Sequence, residues 1–99
     1  MQGKIRYDFS AQVWKSPGMG GWVFVSLPED LSQEIREHLS WQEEGWGRMK
    51  AKAEIKGFEW DTAIWFDKKH DTYLLPLKAD IRKKAHVNVG DTISLRISL

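Results

Sequence analysis

The chain has no cysteine in its 99 residues. That excludes a disulfide framework and thiolate chemistry, and fits a reducing compartment. Proline is scarce: the three present, Pro17, Pro28 and Pro76, each fall at a break in the local pattern. No apolar run approaches membrane-spanning length, and Met1 to Asp8 contain no apolar signal core. A cytoplasmic protein without membrane association is the expectation. Net charge is only +1, too little to imply a polyanion partner by itself. The only glycine-rich segment, Gly18-Met19-Gly20-Gly21, precedes an apolar run with strand character, whereas phosphate cradles precede helices.

An apolar fraction of 41% is ordinary for a globular chain and sufficient for one domain, residues 1–99, with a modest core. Six tryptophans are many for this length. Each large aromatic buries roughly 150–250 Å², so a few of them can dominate so small a core. Charge is uneven. Residues 1–47 carry four Lys/Arg against seven Asp/Glu, and residues 48–99 carry eleven against seven. The second half can therefore present a basic face, although lysines that merely keep strand and helix surfaces soluble explain the same count.

Ile5, Tyr7, Phe9, Ala11 and Val13 alternate with Lys4, Arg6, Asp8, Ser10 and Gln12, which is the period of a half-buried strand. Ser16 to Gly21 break it, and Trp22 to Leu27 follow as a strand apolar on both faces. Pro28, Glu29 and Asp30 suit a first helical turn, and Leu31, Ile35 and Leu39 form a narrow apolar stripe on a helix over 28–40. After Gly45-Trp46-Gly47, Met49, Ala51, Ala53 and Ile55 alternate with Arg48, Lys50, Lys52, Glu54 and Lys56 as a third strand, in which Glu54 interrupts the basic row. Gly57 turns the chain into a fourth, Phe58 to Phe66. Thr72 to Leu77 is a fifth, with Pro76 marking an edge or strand end. Lys78 to Ala85 form two helical turns with Ile81 and Ala85 inward. Gly90-Asp91 then turns into a sixth strand, with Ile93, Leu95, Ile97 and Leu99 on one face. Six strands joined mostly by short turns, with two short helices at connections, predict an all-β fold: a small barrel, closed or partly open, since closure removes exposed edges.

Trp22-Val23-Phe24-Val25, Leu27-Pro28, Gly45-Trp46-Gly47, Thr62-Ala63-Ile64-Trp65, Leu75-Pro76-Leu77-Lys78, Ile81-Arg82-Lys83-Lys84-Ala85 and Val89-Gly90-Asp91 together resemble a bacterial family known as domain of unknown function 1905. Some of its members are joined to bacteriocin-protection (OmpD-associated) domains. The resemblance implies a double-split β-barrel, related in architecture to transition-state-regulator and antitoxin barrels, and brings no activity with it. Two positions depart from the pattern: His86 stands where the family commonly has Gly, and Phe66 where Pro is usual. The first argues against a left-handed backbone there.

Three groups of residues are candidates for function. Arg48, Lys50, Lys52 and Lys56 project from one side of the third strand, and Arg82, Lys83 and Lys84 lie on the second helix. Such a basic face, with stacking by Trp14, Trp46 or Trp65, fits nucleic-acid or anion binding. Glu59 and Asp61 across the hairpin oppose it, and cations near a helix C-terminus are explained by the dipole alone. Lys78 with Arg82 is a further anion site. Phe24, Trp41, Trp46, Trp65 and Tyr73 are candidates for an apolar pocket at the barrel mouth, because the interior of so small a barrel is filled with side chains. Trp22 and Trp60 are expected in the core.

No catalytic group is identified. His38, His70 and His86 lie in no motif, and His70-Asp71 lacks the further ligands a metal needs. Gly90-Asp91 reads as a turn held by the carboxylate rather than as a site. The expectation is a non-catalytic module without cofactor or metal, binding a small apolar ligand or a partner protein, with nucleic acid as the alternative.

Overall fold

The structure is a computed structural model that describes residues 5–18 and 20–99, with the backbone but not the side chain of Trp46. Expectations resting on Lys4 and on the Trp46 ring lie outside the described residues. Six strands are present: β1 (Arg6–Lys15), β2 (Val23–Ser26), β3 (Arg48–Ile55), β4 (Phe58–Asp67), β5 (Thr72–Pro76) and β6 (Thr92–Ser98). They join in the order β1-β2-β5-β4-β3-β6, every neighbour antiparallel, and the ring closes. Of the two forms the sequence leaves open, the barrel is therefore the closed one.

The seams differ in length. β3 and β4 pair over eight residues, Arg48↔Trp65 to Ile55↔Phe58, and β1 and β6 over seven, Arg6↔Ser98 to Gln12↔Thr92. The other four seams hold three pairs each. Two long ribbons are thus stitched together by short joints. β4 meets β5 only through Trp65, Phe66 and Asp67, so most of its length has no strand partner on that side.

The alternation read in the sequence sets the inside of the ring. Tyr7 and Val13 of β1, Met49 to Ile55 at every second residue of β3, and Ile93, Leu95 and Ile97 of β6 are buried. The helix α1 (Glu29–Leu39) packs where β4 passes to β5, with Arg36 over the Phe66 ring and Ser32 against Tyr73. It buries Ile35 and Leu39, each contributing roughly 1.5–3 kcal/mol. Its buried Ser32 accepts a hydrogen bond from the Tyr73 backbone N–H at 3.1 Å, and the Thr72 hydroxyl donates to the Leu27 carbonyl at 2.8 Å. The second helix, α2 (Ala79–Ala85), buries Ile81 and Ala85, and Lys56 Nζ, in the β3–β4 turn, donates to the Ala85 carbonyl at 2.9 Å.

Two sequence expectations are corrected here. Trp22 is not in the core: it precedes β2 and is 51% exposed, because Phe24 takes the covered position on that face of the strand. His86 does adopt the left-handed conformation, with φ 55° and ψ 49°. The bonds made there hold it: its N–H reaches the Lys83 carbonyl at 3.4 Å and the Val87 N–H reaches the Arg82 carbonyl at 2.9 Å, the arrangement that ends many helices.

Candidate functional site

β2 is buried on both sides, and the two sides do different things. Val23 and Val25 join the interior core. Phe24 points outward and is nevertheless 2% exposed, because aromatic side chains cover it from outside the ring. Its centroid lies 5.2 Å from that of Trp14, 6.0 Å from Trp22 and 5.6 Å from Trp65. Trp22 and Trp65 meet edge to face at 6.2 Å, with planes 69° apart, a favourable arrangement of ring quadrupoles. Trp14 is fixed at the far side by its Nε1–H, which donates to Ser26 Oγ at 3.0 Å, and by His70 at 5.1 Å.

On the open side of this layer lies a groove of about 800 Å³. Trp22 and Trp65 line it together with the apolar Ala63, Pro76 and Ala79. Its position follows from the seams: β4 leaves β5 after Trp65↔Leu74, and α2 passes beside the strand that is left without a neighbour.

Cations stand on both banks. On β3 the register places Arg48 beside Trp65, Lys50 beside Ala63 and Lys52 beside Asp61. On the other bank stand Lys78, the residue that precedes α2, and Arg82 within it. Glu44 serves two of these cations at once, accepting from Arg48 at 3.1 Å while its other oxygen stands 3.9 Å from Lys50. Asp61, the carboxylate lining the groove, pairs with Lys52 at 3.7 Å. Arg82 spends its Nε–H on the Leu77 carbonyl at 3.0 Å, which aims the rest of the guanidinium. Among the described residues, neither Lys78 nor Arg82 has an acidic partner.

The residues singled out in the sequence are therefore distributed as follows. Arg48, Lys50, Arg82 and Trp65 come together at the groove, with Phe24 beneath it. Lys52 continues the β3 row just outside, whereas Lys83 and Lys84 are exposed and do not line it. Trp41 is 78% exposed, its Nε1–H donating to the His38 carbonyl at 3.2 Å. Tyr73 is buried inside the ring, its hydroxyl donating to the Glu43 carboxylate. One mouth pocket of Phe24, Trp41, Trp65 and Tyr73 is thus not formed. Trp65 pairs with Leu74, so Tyr73 faces inward while Trp65 faces outward. Glu59 faces Glu54 rather than a cation. Lys78, the expected partner of Arg82 in an anion site, lines the groove as well, and so do Trp22 and Ala79, which the sequence does not mark as site residues.

The other ionisable groups build structure. Arg36 lies 3.5 Å from Glu43 and stacks 3.9 Å over the Phe66 ring. Burial first, and then the Glu43 carboxylate, push the Tyr73 hydroxyl well above the ordinary tyrosine range. His70 Nδ1 contacts Asp67 within one turn. The Asp91 carboxylate accepts from the Asn88 N–H at 2.9 Å, as its turn role requires. No group of three or more metal-ligating side chains occurs among the described residues.

Fold and groove together define a small closed antiparallel barrel with an aromatic, cation-rimmed cleft on its outer wall. Residues 9–97 match the family described as domain of unknown function (DUF1905), and the chain belongs to that family. No curated protein matches it. No helix is long and apolar enough to cross a membrane among the described residues.

Proposed function

We propose that the protein is a non-catalytic binding module, and that its ligand is an anion carrying a flat apolar group held in the Trp22–Trp65 groove. The half-exposed Trp22 indole beside four cations carries this reading. An indole left half in water forgoes part of the 150–250 Å² that a large aromatic can bury, and covering it returns about 25 cal/mol per Å². The groove falls within the size range of small-molecule sites, with apolar lining residues and a few placed polar groups. Its titratable lining is four cations and a carboxylate already paired with Lys52, a set suited to holding negative charge rather than to exchanging protons.

Anilinonaphthalene sulfonate, a planar apolar anion, is the probe. It should bind at micromolar concentration with quenching of tryptophan fluorescence. Lys78→Glu combined with Arg82→Glu should weaken it about tenfold or more, as the loss of charge-assisted contacts requires. Binding that is indifferent to both substitutions would place the ligand elsewhere.

A further inference from the structure

We infer that the natural occupant of this groove is single-stranded nucleic acid, with a base stacked on Trp22 and the backbone lying between the two cationic banks; this rests on the groove reading above. A compact anion needs one cluster of positive charge. Here Lys78 and Arg82 face Arg48 and Lys50 across the width of β4, so negative charge is favoured on both sides of the aromatic group. The β3 bank also outruns the groove: Arg48, Lys50 and Lys52 occupy alternate residues of one strand face, roughly 7 Å apart, a track longer than a small molecule uses. Two of the three share Glu44 and the third is paired with Asp61. The charge without an acidic partner is therefore that of Lys78 and Arg82, and the β3 row guides the chain rather than anchors it.

Stacking decides between strand forms. The Trp22 face is open at the wall of a groove, where an unpaired base can be splayed onto it. A duplex keeps its base faces stacked on each other and would leave that face uncovered. An acidic peptide without aromatic residues, such as polyglutamate, could satisfy the cations but brings no flat ring for the indole.

The test is fluorescence anisotropy of a labelled oligothymidylate titrated with the whole protein, together with tryptophan quenching. Micromolar binding near 50 mM salt is expected. Engagement of about three cations should give a log–log salt slope of about −2. Trp22→Ala should weaken binding about fivefold to 150-fold, the range for losing one stacked base. Lys78→Glu, an exposed change, should weaken it independently. Polyglutamate, or a duplex of similar length, competing as well as the single strand would overturn the inference. So would an oligothymidylate that fails to bind while anilinonaphthalene sulfonate still occupies the groove, an outcome that leaves the groove reading standing. Failure of both ligands removes both.

Discussion

The Tyr73 hydroxyl, inside the barrel, donates to the Glu43 carboxylate in the segment that follows α1. Arg36 stands against the same carboxylate at 3.5 Å, so one acid ties a barrel strand to α1. The burial of Tyr73 raises its pKa above the usual value of 10.0. A raised acid is more easily ionised in the unfolded chain than in the folded one. Its stabilisation is therefore complete below about pH 10 and is lost as pH climbs from there toward the folded-state value. Thermal unfolding followed at pH 8 and pH 11 should show a steep loss of Tm in the wild type. Tyr73→Phe should show a shallower loss, starting from a protein about 1–3 kcal/mol less stable at neutral pH because the mostly buried Glu43 loses a donor.

Lys56 and Gly57 form the two-residue turn between β3 and β4, both with positive φ, 52° and 84°. A Cβ on Gly57 would meet nothing within 4 Å, so the cost of Gly57→Ala is conformational alone. Denaturant titration should show a loss of about 1–2 kcal/mol, the penalty for an L-residue in that region.

His86 occupies the left-handed position after α2 at a place where a glycine fits without strain. His86→Gly should therefore stabilise the protein by about 1 kcal/mol, read as a rise in denaturant midpoint at unchanged slope. No gain would mean that the imidazole makes a compensating contact.

Much of this architecture can be read from residue periodicity. Alternation in β1, β3 and β6 marks their buried faces, and Pro28, Gly57 and Gly90-Asp91 mark real boundaries. What cannot be read is which strand lies beside which, and in what register. Phe24, Trp65 and Tyr73 all look like lining for one pocket, yet a shift of one residue in a register reverses which face a side chain takes. The observed Trp65↔Leu74 pairing turns Tyr73 into the ring and leaves Trp65 outside it with Phe24. Trp22 misleads for a related reason. An apolar run of strand character says that both faces are covered, but not that the outer cover is a layer of other aromatics with Trp22 at its rim. The Lys78–Arg82 spacing is visible in the sequence; that α2 passes beside β4 depends on the short β4–β5 seam.

The outer aromatic layer separates two tryptophan-flanked positions by stability. Phe24→Ala removes a ring enclosed by Trp14, Trp22 and Trp65 and should cost about 3–5 kcal/mol, as core phenylalanine truncations do. Trp22→Ala, at a half-exposed site, should cost clearly less. Equal losses by denaturant titration would mean that the layer is a second core rather than a binding wall.

The most direct test of the groove follows the indole N–H resonances of the protein during titration with anilinonaphthalene sulfonate. The signals of Trp22 and Trp65 should shift together and saturate. Those of Trp41, hydrogen-bonded to His38 away from the groove, and of Trp60, whose Nε1 is buried, should stay in place. Movement of Trp41 while Trp22 and Trp65 remain still would contradict a ligand site at this groove.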